Sequence, residues 1–167
     1  MVKHIAHERA RGQASGDEPD LGILLALAFS AFATELRASM AAAGYDDLHR
    51  SFGYVARNLA ETPLTLSELA QRLDITSPGA LKIVQHMEEA GYLERVPDPA
   101  DARAKHLRLT RRGRSALAAA REFHARFERE LAERFGSKKL QALREVLGDM
   151  VVRHESEGGA PVALRPM

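Results

Sequence analysis

The chain has 167 residues, enough for one ordinary domain or a small reading domain with an assembly element, and too few for two full domains. With 45% hydrophobic and 28% charged residues it is globular in composition, and 5% aromatics without tryptophan favour helices packed through small and aliphatic side chains. The absence of cysteine excludes disulfide, thiolate-metal, nucleophilic-cysteine and thiol-redox chemistry, and a net charge of +1 excludes a globally basic coat.

Residues 1–19 are polar, with Gly12, Gly16 and Pro19, and read as a mobile N-terminal arm. Its His4 and His7 have a spacing that binds metal on a helix, which an arm does not supply. A first helix is predicted from Leu21 to Ala43, with Asp20 as N-cap and Gly44 as the stop. Its apolar residues Leu21, Leu24, Leu25, Leu27, Ala28, Phe29, Phe32, Leu36 and Met40 cover more than one face, so it must be covered on several sides. In so short a chain a second subunit is the natural cover, and 20–46 reads as a dimerisation helix. The apolar run Leu21–Ala33 falls short of the ~20 residues of a membrane span, and no signal-peptide pattern precedes it. A cytoplasmic protein without a membrane partner is expected.

A second helix is predicted over Asp47–Ala60, with Leu48, Phe52, Val55, Ala56 and Leu59 on one stripe and Thr62-Pro63 beyond its end. Thr65-Leu66-Ser67-Glu68 has the capping-box pattern, opening a short helix to Leu73 that buries Leu66, Leu69, Ala70 and Leu73. After an Asp74-Ile75 turn, Thr76-Ser77-Pro78 opens another helix that ends at Ala90-Gly91. Two strands follow, Tyr92–Pro97 and Lys105–Thr110, joined by a projecting loop over 98–104; no other β-structure is expected. Thr110 to Gly113 start a long helix to Phe135, with Leu117, Ala120, Phe123, Phe127, Leu131 and Phe135 along one edge. Gly136 stops it, and Ser137 caps a last helix with Leu140, Leu143, Val146, Leu147, Met150 and Val151 as its stripe. Residues 156–167 read as a tail. The expected fold is mainly α with a small β-hairpin wing: a winged helix-turn-helix lobe over 47–113, flanked by the dimerisation helix and by C-terminal dimerisation helices over 114–155.

Charge is concentrated where that lobe ends. Residues 94–114 carry 7 Lys/Arg against 3 Asp/Glu, whereas 64–93 carry 2 against 4 and 1–63 carry 6 against 8. Such a local excess suits contact with a polyanion. On the helix after the turn, Ala80, Ile83, Val84 and Met87 form the core stripe, and at ~100° per residue the opposite face centres on Pro78, Lys82 and Gln85, with His86 and Leu81 flanking. Lys82 and Gln85 are long donors able to reach base edges or phosphates, and Thr76, Ser77 and the Gly79 amide at the helix start suit a phosphate. On the loop, Asp101 and Arg103 can share one side and pair, holding the guanidinium as a probe for a narrow minor groove. Lys105, Arg108, Arg111 and Arg112 at the wing base would add salt-sensitive phosphate contacts.

The stretch Leu64–Gly113 resembles the MarR family of bacterial regulators. The matching pieces are Leu66-Ser67-Glu68-Leu69-Ala70, the helix exit Glu88-Glu89-Ala90-Gly91-Tyr92-Leu93-Glu94-Arg95, the Asp101-x-Arg103 wing and Leu109-Thr110-x-x-Gly113. The resemblance, which extends with the flanking helices over about Leu21 to His154, implies an obligate homodimer and a small-molecule pocket between the dimer layer and the reading lobes. It also implies that Arg103 is the minor-groove arginine and Asp101 its orienting partner, with Ala102 standing where a further arginine is frequent.

The function these features imply is a homodimeric transcriptional regulator, a repressor relieved by a small-molecule effector, that reads a pseudo-palindromic operator on double-stranded DNA. Phe29, Phe32, His49, Phe52 and His124 are the candidate effector-pocket residues. No catalytic residue and no cofactor are assigned. His49, His124 and Glu128 are the set that a zinc site or an acid–base enzyme would use, but two histidines and a carboxylate without cysteine are an incomplete zinc set. A winged helix used only for protein docking is the other alternative.

Overall fold

The computed structural model describes residues 19–97 and 105–157, so the predicted N-terminal arm, the loop 98–104 and the tail beyond 157 lie outside the described residues. The chain divides into two compact units, residues 1–35 and 36–167.

The first unit contains most of helix α1 (Leu21–Ala42). Asp20 is its N-cap as predicted: the carboxylate accepts from the Ile23 N–H at 3.0 Å, which satisfies one of the amides a helix start leaves unpaired. Leu21, Leu27 and Phe29 are at least half exposed. The helix runs on past the apolar stretch to 22 residues and passes a test for a membrane span by length and composition only, a test that a covered helix of a soluble protein passes as well.

The second unit begins inside α1, whose end is set by Gly44 at φ +85°. Tyr45 N–H closes the turn onto the Met40 carbonyl at 2.9 Å, and Met40 enters the core. Helix α2 (Phe52–Asn58) starts five residues later than predicted. The reason is local: Asp47 is drawn into contacts with Tyr92 and Arg112, and His49 Nδ1 accepts from the Ser51 N–H at 3.0 Å, so residues 47–51 form a turn.

Helix α3 (Leu66–Arg72) opens with the predicted capping box. Glu68 N–H donates to Thr65 Oγ1 at 3.2 Å, and the Thr65 N–H donates to the Glu68 carboxylate at 2.7 Å. These bonds hold the Glu68 carboxyl below its ordinary range. Thr65→Ala removes the cap, and a loss of about 1 kcal/mol in unfolding free energy by urea titration is the expected result. Asp74 turns the chain at φ +50°, and helix α4 (Ser77–Glu89) follows with Thr76 as its cap and Gly91 at φ +73° beyond its end.

Strands β1 (Leu93–Pro97) and β2 (Lys105–Leu109) pair antiparallel, with Glu94 opposite Arg108 and Val96 opposite His106. The predicted end residues close the base instead: Thr110 N–H donates to the Tyr92 carbonyl at 3.0 Å. The hairpin is not the only β-structure, because Leu64 adds a one-residue bridge to Leu107, with bonds of 2.7 and 3.3 Å. Helix α5 (Arg111–Phe135) is capped by Thr110, whose Oγ1 accepts from Gly113 N–H at 3.0 Å and donates to the Gly91 carbonyl. Gly136, at φ +90°, separates α5 from α6 (Ser137–Ser156) and is itself the N-cap position of α6; Ser137, predicted as the cap, is already helical. Arg144 ties α6 to Glu128 of α5 at 2.6 Å.

The core gathers Phe52, Val55, Leu59, Leu64, Leu69, Leu73, Val84, Met87, Tyr92, Leu93, Leu107, Leu109 and Leu117, one cluster that joins α2 to α5 through the hairpin. No residue of α6 is buried.

Candidate nucleic-acid interface

Helix α4 carries the residues that the sequence assigns to base reading. Ala80, Val84 and Met87 are fully buried, with Ile83 packed at their edge, which pins one face of the helix to the lobe. Burying that face stabilises its orientation by about 1.5–3 kcal/mol for each large side chain. The opposite face must then point outward, and Ser77, Pro78, Lys82 and Gln85 are all exposed. Lys82 and Gln85 lie one turn apart on that face, a spacing that lets two donors reach neighbouring positions along a groove.

At the start of α4 the Thr76 hydroxyl accepts from Gly79 N–H at 3.3 Å, so the amide expected to meet a phosphate already has an internal acceptor, and Pro78 has no N–H to offer. The first turn therefore presents the Thr76 and Ser77 hydroxyls more than free amides. His86, also exposed, packs against His49 of the 45–51 turn with ring centroids 5.1 Å apart.

The wing base is more internally paired than expected. Arg108 donates through Nε and Nη2 to Glu94 directly across the hairpin, at 3.1 and 2.9 Å, an exposed pair that competes with any phosphate contact. Lys105 and Arg111 are exposed. Arg112 lies over the Tyr92 ring, 4.6 Å from its centroid, and reaches both Asp47 carboxylate oxygens at 2.8 and 2.9 Å and the Tyr92 hydroxyl at 3.0 Å. Its role is to tie three segments together. The Tyr92 hydroxyl donates to Asp47 in a short bond. That bond, with Arg112 beside it, holds the Asp47 carboxyl below its ordinary range, and burial followed by the Asp47 contact pushes the Tyr92 hydroxyl up to about 12. Asp101 and Arg103 lie outside the described residues.

The candidate effector residues of the second unit face separate neighbours. Phe52 is a core residue with its ring 5.3 Å from that of Tyr92, His49 meets His86, and His124 Nε2 lies 3.2 Å from the Arg57 guanidinium. Burial first, and Arg57 next, lower the His124 imidazole below its ordinary range, against Glu128. Phe29 and Phe32 belong to the first unit, where Phe29 is half exposed and Phe32 is partly buried. His49, His124 and Glu128 do not assemble: among the described residues no group of three or more His, Asp or Glu is placed to hold a metal ion. His4 and His7 lie outside the described residues.

Two contacts escaped sequence reasoning. Asp47 and Tyr92 are 45 positions apart and His49 and His86 are 37, with no periodicity or spacing to join them. A polar tyrosine at a core position, Tyr92, is the one available hint, since a buried hydroxyl demands a partner.

Residues 47–104 match the model of the MarR family. About four fifths of the chain matches solved structures. Streptococcus pneumoniae FabT in complex with DNA aligns at TM-score 0.71 and 18% identity over 81% of this chain and 96% of that one. CouR, a transcriptional repressor bound to a 23-mer DNA duplex, aligns at TM-score 0.64 and 26% identity over 83% and 99%. The Thermotoga maritima transcriptional regulator Tm0710 aligns at TM-score 0.54 and 25% identity over 81% and 93%. No curated protein matches the chain.

Proposed function

We propose that this chain, whose residues 47–104 match the model of the MarR family, is a winged helix-turn-helix regulator of that kind: a cytoplasmic protein that binds double-stranded DNA as a homodimer and represses until a small-molecule effector relieves it. Tm0710 and CouR, which this chain resembles, are a transcriptional regulator and a transcriptional repressor, which supports a regulator over an enzyme. The observation that carries the DNA reading is the division of α4 into a buried Ala80, Val84 and Met87 face and an outward Lys82 and Gln85 face beside the hairpin. FabT and CouR, of the same fold, are DNA-bound, and CouR is a repressor.

Dimerisation is supported by the apolar faces of α1 and α6, which one copy of the chain leaves open. On that reading two copies of α4 enter successive major grooves ~34–36 Å apart, Arg103 probes the minor groove under the guidance of Asp101, and Lys105 and Arg111 contact phosphates. Arg108 would join them once released from Glu94. The effector proposal rests on the resemblance to the family. A thermal-shift screen of metabolites tests it.

Gel-shift titration with the promoter DNA around its own gene is the direct test of DNA reading. Sequence-specific binding at ~50–100 mM salt is expected, where phosphate contacts are strong, and its absence there would overturn the proposal. Arg103→Ala is expected to weaken operator binding by about 1–3 kcal/mol without changing the dimer. Equal affinities for the two proteins would remove the minor-groove role.

A further inference from the structure

The turn between α1 and α2 meets the recognition helix at His49 and His86, whose ring centroids lie 5.1 Å apart. His49 is committed in its protonation state by geometry. Its Nδ1 accepts a hydrogen bond from the Ser51 N–H at 3.0 Å, which requires a lone pair on Nδ1 and therefore the neutral tautomer with the proton on Nε2. Ser51 is fully buried, so its N–H has no water to turn to if that acceptor is lost. A proton added at Nδ1 sets N–H against N–H, removes the bond and strands the Ser51 amide, a cost of the kind that moves a turn rather than one side chain.

We propose that the His49–His86 contact is an acid-sensitive latch between the 45–51 turn and the recognition helix: a proton on His49 breaks the Ser51 hydrogen bond, displaces the turn from His86, and so weakens operator binding.

The surroundings favour the release. Among the described residues, the charged groups acting on His49 are His86 from α4 and Arg50 from the turn itself, and both oppose a cation there. Of the turn's carboxylates, Asp47 is held by Tyr92 and Arg112. On α4 the groups one turn from His86 are Lys82 and Glu89, of opposite sign. Burial, then His86, then Arg50 hold the His49 imidazole below its ordinary value of 6.5. A depressed folded-state value means that the latch contributes fully above about pH 6.5 and is lost as the pH falls through the lowered value. The same turn grips the wing base through Asp47, so its displacement reaches both reading elements.

This inference rests on the DNA-binding reading for its consequence and on the free protein for its mechanism, and the two are tested separately. His49→Asn is the informative variant, because an asparagine Oδ1 can accept from the N–H two residues on without taking up a proton. In the free protein, NMR titration of the imidazoles and of the α4 amides is expected to show the amides of residues 85–89 moving with the His49 titration in the wild type and staying still in His49→Asn. His86→Asn is expected to raise the His49 midpoint. If the α4 amides ignore the His49 titration, there is no latch, whatever the protein does with DNA. Operator affinity, measured by fluorescence anisotropy at constant ionic strength, is expected to fall further in the wild type than in His49→Asn between about pH 7.5 and about pH 5.5, by up to about tenfold. Parallel pH profiles overturn the proposed consequence. Absent operator binding at neutral pH counts against the DNA-binding reading itself, and the NMR arm then decides the latch.

Discussion

Replacing Gly113 with alanine is expected to destabilise the reading unit by about 2–4 kcal/mol, the signature of a small-to-large change with nowhere to go. A Cβ at this position would lie 2.2 Å from the Tyr92 carbonyl oxygen and 3.1 Å from Leu109 Cδ2. The first of these is backbone, already accepting the Thr110 N–H at 3.0 Å, and cannot swing aside as a side chain would. Alanine is the better helix former by ~1 kcal/mol, and Gly113 sits in the first turn of α5, so propensity pulls the other way. The clash is the larger effect because relieving it separates the start of α5 from the base of the hairpin, and with it breaks the Thr110 cap. Urea or thermal unfolding reads the result. An alanine variant as stable as the wild type would show that the hairpin base and α5 are not in rigid contact.

The second large effect is expected at α6. Leu143, Val146, Leu147, Met150, Val151 and Val152 are 38–64% exposed in one copy of the chain, a row of apolar side chains no isolated soluble helix needs. Covering one such side chain contributes about 1.5–3 kcal/mol, and a two-fold interface counts each substitution twice. In the proposed homodimer Leu147→Glu would also place an uncompensated charge in the covered region, so the dissociation constant of that dimer is expected to rise about a thousandfold or more. Because the position is exposed in the protomer, the lobe itself should remain folded. Sedimentation velocity beside circular dichroism separates the two outcomes. A variant that sediments as a folded dimer would place the subunit contact elsewhere.

Much of the fold was legible in the sequence because its signals are local. Asp20, Thr65, Thr76 and Thr110 each cap a helix within three residues of the amide they satisfy. The stripe Ala80, Val84 and Met87 is buried where a 3.6-residue period puts it, which leaves Lys82 and Gln85 outside without any knowledge of the rest of the chain. The start of α2 misled for the opposite reason: the apolar period of residues 48–59 is present, but Asp47 and His49 are held by distant residues that no window of sequence contains.

The sequence by itself therefore determined the helices, their caps, the hairpin and the outward face of α4, since each depends on neighbours within a turn or two and on apolar periodicity. Tertiary structure alone decided which polar groups are available to a ligand. Arg112 is spent on Asp47 and Tyr92, Arg108 on Glu94, and His49 on Ser51 and His86, while Leu64 joins the hairpin at Leu107. The physical reason is that a charged side chain's role is set by the nearest opposite charge or unpaired hydrogen-bonding group in space. For Asp47 and Arg112 that neighbour lies 65 positions along the chain, brought close only when the core between them has packed.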